Sequence, residues 1–264
     1  MSFLNAVLLG IVQGLAEFLP ISSSGHLVIA EHLLGVQQAS VFFDVFLHFA
    51  TVLAILIYFK KDILSIKLTE IKLIIIGSIP AAVIGILFKD QIEMLFESVA
   101  IVSAMIIVTG IINLVTDRKL NNRAKIKNSD EKQVSLKEIG VKEAFIIGIF
   151  QAIAIIPGIS RSGSTVAGGI LQNIDRVKAF RFSFLMVIPV ILGATLLQLI
   201  EVYDTGLGSL NFGVLFVGGL TAFTFGFLSL KVFEYVIKKA RLELFGYYCI
   251  SFGLLSLLLN YFIK

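Results

Sequence analysis

The chain has 264 residues and a formal net charge of +4; 57% of its residues are hydrophobic and only 15% charged, against about 25% charged in a soluble domain, and its mean hydropathy is +0.96. These values exclude an ordinary water-soluble domain, and basic residues scattered over loops offer no face for nucleic acid. The single cysteine, Cys249, excludes an internal disulfide and a cysteine-based metal site, and apolar runs too long for strands exclude a membrane barrel.

The first apolar stretch, 2–19, lacks a basic n-region and a small-residue cleavage site, and Gln13 and Glu17 interrupt it. It is therefore not read as a signal peptide. Gln13 and Glu17 are four apart, on one helix face. Gly10 and Gly14 form a small-x-x-x-small face suited to close helix packing. Pro20 then breaks the chain before Ser22-Ser23-Ser24-Gly25-His26 and a second short helix. Neither half of 2–36 is long enough to cross a bilayer comfortably, so the segment reads as a re-entrant helical hairpin whose tip is buried in protein or lines a cavity. Apolar runs at 41–59 (carrying Asp44 and His48), 71–88 and 98–116 read as full spans. Residues 117–143 are densely charged and read as a solvated, flexible connector. A second hairpin follows at 144–174, with Pro157-Gly158 before Ser160-Arg161-Ser162-Gly163-Ser164-Thr165, and spans at 179–200, 212–232 and 243–263 complete the chain.

The two halves, 1–116 and 144–264, repeat. Gly10-x-x-Gln13 matches Gly148-x-x-Gln151, and the proline–serine–glycine clusters match after them; the stretch around Pro80 resembles that around Pro189. If each hairpin returns to its own side, loops 60–72, 117–143, 175–181 and 231–241 share one face. They carry 4, 8, 3 and 4 basic residues, 19 of the 22. The bias of Lys and Arg toward the cytoplasm then puts the connector inside and both termini outside. Three spans per half is an odd number, so the second half is inverted. The expected fold is an all-α integral membrane protein: an inverted-topology repeat of six transmembrane helices and two re-entrant hairpins meeting near the midplane.

Glu17, His26 and Arg161 are ionisable groups inside membrane segments, where each costs about 2.5–3.5 kcal/mol on insertion scales. A structural hydrogen bond or internal ion pair is the alternative to function. Each Ser/Gly cluster opens a helix, and free N–H groups there favour anions. N-capping explains the serines; it does not explain an arginine at membrane depth, whose planar fork suits phosphate oxygens. Ser22, Ser24, Gly25, Ser160, Ser162, Gly163 and Thr165 are the expected phosphate ligands. Glu17 could hold a divalent cation, with Gln13 as a further oxygen donor and substrate phosphates completing the shell. A Ser-Gly-His and Ser-Arg pattern known from membrane phosphatases is only mimicked, because Ala167 stands where a second histidine would be needed.

The run Gly10-Ile-Val-Gln13-Gly14-Leu-Ala-Glu17-Phe-Leu-Pro20-Ile-Ser22-Ser23-Ser24-Gly25-His26 resembles the first motif of the undecaprenyl pyrophosphate phosphatases, also called bacitracin-resistance proteins. Pro157 to Thr165 resembles their second motif, and Phe43-Asp44-Val-Phe-Leu-His48 and Arg181-Phe-Ser183-Phe extend the likeness along the chain. The resemblance implies a multi-pass protein of the bacterial plasma membrane that hydrolyses undecaprenyl diphosphate to the monophosphate at a site open to the extracytoplasmic side. That activity recycles the lipid carrier of cell-wall synthesis and confers bacitracin resistance. The resemblance also implies a divalent cation, Mg²⁺ or Ca²⁺. Carried over by position, Ser23, His26 and Arg161 match the family's catalytic serine, histidine and arginine, and Glu17 its glutamate. Asp44 and His48 receive a peripheral role. The nucleophile is either Ser23 or a water, activated by Glu17 or His26. The oligomeric state stays open, a homodimer included. A polyprenyl-phosphate flippase or transporter using the same inverted-repeat site is the alternative function.

Overall fold

A computed structural model of the chain describes residues 1–36, 41–128, 136–205, 211–239 and 241–263. Among these residues the structure is helical, without a strand ladder. The elements run α1 Phe3–Phe18, α2 Ser23–Leu33, α3 Val41–Tyr58, α4 Lys60–Leu64, α5 Leu68–Leu87, α6 Lys89–Phe96, α7 Val99–Asn128, α8 Val141–Ile153, α9 Arg161–Leu171, α10 Arg176–Thr205, α11 Phe212–Lys239 and α12 Glu243–Ile263. Five of them, α5, α7, α10, α11 and α12, contain stretches long and apolar enough to cross a membrane. Their outward surface is apolar too: Ile86, Leu87, Phe216 and Leu258 all stand exposed. The chain is an all-helical, multi-pass membrane protein. The expected span at 41–59 is the shorter α3, whose 18 residues reach roughly 27 Å at 1.5 Å per residue.

The sequence dictates the short helices locally. Ser2 caps α1, its Oγ accepting from Asn5 N at 3.1 Å. Pro20 ends that helix by forcing Leu19 into extended backbone. α8 opens with the Glu143 carboxylate accepting from Gly140 N at 3.2 Å. It breaks at Ala154, and Gly158 then takes φ +93°. A Cβ at Gly158 would lie 2.3 Å from the Val102 carbonyl, so glycine is required there twice over.

Packing exchanges partners between the halves. α1 lies on α11, and α8 lies on α5. Both pairs are glycine contacts: a Cβ at Gly10 would meet the Gly218 carbonyl at 2.5 Å, and one at Gly148 the Gly77 carbonyl at 2.3 Å. In lipid there is little hydrophobic drive between helices, so such close backbone approach supplies the attraction. α7 and α12 pair in the same way through Gly110, Gly246 and Gly253. An aromatic cluster of Phe18, Phe59, Phe180, Phe184 and Phe233 fills the space beside the first hairpin, with Phe180 and Phe184 centroids 4.7 Å apart.

Two expectations change. The likeness between the stretches around Pro80 and Pro189 does not follow the repeat. Pro80 lies in α5 and Pro189 in α10, whereas packing makes α5 the counterpart of α11. The charged connector does not begin as loosely solvated chain either. α7 continues through Asn128, and two of its polar residues, Asp117 and Arg123, have partners on other elements. Asp117 is buried, and its Oδ1 accepts from Leu242 N at 2.8 Å and Glu243 N at 3.2 Å, capping α12. Arg123 donates to Asn173 Oδ1 at 2.8 Å and to the Ile170 and Ile174 carbonyls, closing the end of α9. Residues 129–135 of that connector lie outside the described residues. Arg181 donates to Asp62 at 2.6 Å and to Glu70 at 2.7 Å, tying α10 to α4 and α5.

Candidate active site

The first turns of α2 and α9 meet at the end of α1. Ser22 caps α2 with its Oγ accepting from Gly25 N at 3.3 Å, and Ser160 caps α9 by accepting from Gly163 N at 3.1 Å. The N–H groups of Gly25 and Gly163 are thus used by the caps. The first-turn N–H groups of Ser23, Ser24, Arg161 and Ser162 are left without intrahelical acceptors. Ser22 reaches this arrangement at φ +74°, a strained value for a residue with a Cβ. Glycines 25 and 163 let the tips close: a Cβ on Gly25 would come 3.1 Å from the Gly158 Cα, and one on Gly163 3.1 Å from the Pro20 side chain. α7 stitches both tips to itself. Thr109 donates to the Gly158 carbonyl and accepts from Ser160 N, both at 2.8 Å, and Asn113 donates to the Pro20 carbonyl at 2.6 Å.

Glu17 is the centre. Its Oε2 accepts from Ser23 Oγ at 2.6 Å and from Gln13 Nε2 at 3.0 Å, and His48 Nε2 stands 3.5 Å from the same oxygen. Its Oε1 is paired with Arg161 Nη2 across the two halves. Arg161 Nη1 is buried without a partner. Glu17, Ser23, His48 and Arg161 line a cavity of about 160 Å³, whose other wall is largely apolar, from Ala81, Ile155, Val187, Val190 and Ile191. A single water needs about 10–15 Å³ on this measure, so there is space for a compact anion beside the charged wall.

The structure therefore brings together Glu17, Ser23, Arg161 and Gln13, as expected. Ser22, Ser24 and Ser160 also line the cavity. Ser162 and Thr165 turn elsewhere: Ser162 donates to the Leu19 carbonyl at 3.1 Å, and Thr165 bonds the Arg161 carbonyl at 2.8 Å and Ser183 at 2.5 Å. His26 is not brought into the cavity. Its Nδ1 donates to the Ser22 carbonyl at 2.7 Å, which leaves Nε2 to accept from Tyr248 at 2.8 Å, and its ring stacks on Phe252 at 4.4 Å. Both nitrogens are occupied by α12 and the tip backbone. His48 stands closer to the chemistry than the sequence suggests: it touches Glu17, with Nδ1 donating to the Asp44 carbonyl at 2.8 Å. Asp44 itself faces Glu31. Thr109, Asn113 and Gln151 join the site without a sequence signal of their own, since neutral polar groups inside apolar helices carry little signal in a single sequence.

A hard cation would find oxygen donors here. Gln13 Oε1 is buried and unpartnered beside Glu17, although among the described residues no three His, Cys, Asp or Glu side chains cluster as a ready ligand set. The residues fit a cation held jointly with a substrate's oxygens.

Comparison with known proteins shows the family. The family model described as "Bacitracin resistance protein BacA" matches residues 6–255. A protein of Halothermothrix orenii named "Undecaprenyl-diphosphatase" is 42% identical over 265 residues, covering 98% of each chain. One of Rhodopirellula baltica with the same name is 42% identical over 261 residues, covering 97% of this chain and 98% of its own. One of Bacillus cereus named "Undecaprenyl-diphosphatase 4" is 39% identical over 99% of this chain and 98% of its own. This chain belongs to the bacitracin resistance protein BacA family.

Proposed function

We propose that the chain hydrolyses undecaprenyl diphosphate to undecaprenyl phosphate and phosphate in the membrane. The observation that carries this is the Ser23–Glu17–Arg161 constellation: a hydroxyl bonded to a carboxylate at 2.6 Å, with a half-free guanidinium on the other side of that carboxylate. The relatives' names supply the substrate class. The terminal phosphate sits between Arg161 Nη1 and the free first-turn N–H groups of α2 and α9, all of which favour the charge of the transferred phosphoryl group. Ser23 Oγ attacks the terminal phosphorus and passes its proton to Glu17. The P–O bond to the lipid-bearing phosphate breaks, and that phosphate leaves with the bonding pair as an anion. Glu17 first releases that proton to His48 Nε2; water then attacks the phosphoserine, Glu17 takes the water's proton and returns it to Ser23 Oγ, and free phosphate departs. His48 Nε2, beside Glu17 and partly open to the cavity, carries the proton outward. His26 is a positioning residue that holds the Ser22 carbonyl and with it the strained tip.

Glu17 and Gln13 are the residues that would hold a divalent cation, Mg²⁺ or Ca²⁺. Such an ion supplies charge neutralisation at phosphate oxygens.

The architecture that supports this reading is two inverted repeats, 1–116 and 144–264, joined through 117–143, with six spans including α3 and two re-entrant hairpins, α1–α2 and α8–α9. Each hairpin helix is too short to span, at 11 to 16 residues. Both termini and the mouth of the cavity lie on the extracytoplasmic side, opposite the basic loops. The transport alternative gains no observation of its own. The test is phosphate release from a polyprenyl diphosphate by purified protein in detergent, with and without a chelator. Release that stops in chelator and returns with Mg²⁺ or Ca²⁺ is expected; no release under any condition would remove the enzymatic reading.

A further inference from the structure

Gln151 lies in α8 where Gln13 lies in α1, and it faces the same cavity as Glu17 and Arg161. It is 1% exposed, yet neither its Nε2 nor its Oε1 has a partner. Burying an amide without hydrogen bonds costs about 1–3 kcal/mol by protein mutational measures. A buried amide with both polar atoms orphaned, on a residue that lines a cavity, therefore points to a ligand that partners it.

The reason it is orphaned is visible in the repeat. Gln13 is satisfied by Glu17, one turn along its helix, at 3.0 Å. One turn along from Gln151 stands Ile155, which has nothing to offer an amide. The two equivalent positions thus make two unlike walls. The α1 side is charged and carries the Ser23–Glu17–Arg161 group. The α8 side is a neutral amide set among Ala154, Ile155 and, from α5 and α10, Ala81, Val187 and Ile191. A polyprenyl diphosphate is unlike at its two phosphates in the same sense. The terminal one bears the greater charge; the inner one is esterified to hydrocarbon.

Resting on the phosphatase reading, we infer that Gln151 binds the lipid-proximal phosphate, its amide N–H donating to a non-bridging oxygen where the prenyl chain begins. A neutral donor suits that place. The inner phosphate becomes the leaving product, and a cationic partner would hold it with bonds roughly twice as strong, slowing release.

The test uses product inhibition, because the two products divide the two phosphates. Purified wild type, Gln151→Leu and Gln151→Glu are assayed on a polyprenyl diphosphate with polyprenyl monophosphate or inorganic phosphate as inhibitor. Gln151→Leu should raise both KM and the monophosphate inhibition constant about 10-fold, the worth of one buried hydrogen bond left unmade. It should leave the inhibition constant of inorganic phosphate unchanged. Gln151→Glu, adding a like charge, should raise the monophosphate constant further. Should Gln151→Leu not elute as a single species, Gln151→Met keeps the side chain's length without its hydrogen-bonding atoms. An unchanged monophosphate constant, or a rise confined to inorganic phosphate, would overturn the assignment. A wild type that releases no phosphate would remove the phosphatase reading and this assignment together, whereas an active wild type with insensitive variants removes the assignment alone.

Discussion

Replacing Arg161 by lysine separates two tasks that the guanidinium performs at once. Nη2 pairs with Glu17 Oε1, while Nη1 is buried with no protein partner. An ammonium keeps the charge but not the fork, so it can satisfy the carboxylate or a phosphate and not both in the same geometry. The Glu17 side chain is 3% exposed. Leaving it without any cation, as in Arg161→Gln, should cost about 3–5 kcal/mol, because the carboxylate stays buried and uncompensated. Arg161→Lys avoids most of that loss. What it forfeits is the donor held ready for the transferred phosphoryl group, and one preorganised donor is worth about 10²–10³ in turnover. The assay is phosphate release at saturating lipid diphosphate, beside the thermal midpoint of the same preparation in detergent. We expect Arg161→Lys to keep its midpoint within a few degrees and lose about 10²–10³ in kcat. Arg161→Gln should be poorly stable, and Glu17→Gln with Arg161→Gln should recover stability without activity. A stable Arg161→Lys enzyme with near-normal turnover would refute the two-task account.

Ser23→Ala should fall to background, and acid-quenched wild type should yield a phosphoserine at Ser23; substantial turnover by the alanine variant would transfer the attack to water. His26→Asn should slow the reaction by loosening the Ser22 tip but keep the acidic limb of the kcat–pH profile; disappearance of that limb would make His26 the base after all. Gly148→Ala should destabilise by about 1–3 kcal/mol, since its Cβ would collide with the Gly77 carbonyl at 2.3 Å. Gly193→Ala, with nothing within 4 Å, should be neutral or stabilising in the same melting series. A cysteine introduced in 121–130 should react with an impermeant thiol reagent only from the cytoplasmic side, and one in 204–209 only from outside; labelling from a single side would sink the inverted topology.

The charged groups that the fold gathers at the cavity are legible because charge inside an apolar helix is costly and therefore conspicuous. Glu17 and Arg161 stand out on that ground, and Ser23 through its place in a cluster that opens a helix. His26 was equally conspicuous, but its direction is fixed by Tyr248 and Phe252 of α12, more than two hundred residues later. A sequence pattern has no access to such a pairing. Gln151 was visible only as one member of a repeated motif. A neutral amide carries no insertion penalty large enough to demand a role, and its isolation becomes apparent only once Ile155 and the cavity are in view. The connector misled for a related reason. Asp117 and Arg123 look solvated by composition, yet each is bonded to another element of the folded bundle. The match between the stretches around Pro80 and Pro189 was local likeness without structural equivalence, which exchange of partners between the halves makes plain.

That exchange also governs how the protein can be made. The glycine face of α1 has no partner until α11, beginning at Phe212, has left the ribosome. At about 5–20 residues per second, the first hairpin waits roughly 10–40 s in the membrane with the glycine face of α1 uncovered. Arg161 arrives earlier, but the wall that holds α1 against it is among the last quarter of the chain to be synthesised. A nascent chain therefore carries no working phosphatase centre while it is still threading through the insertion machinery.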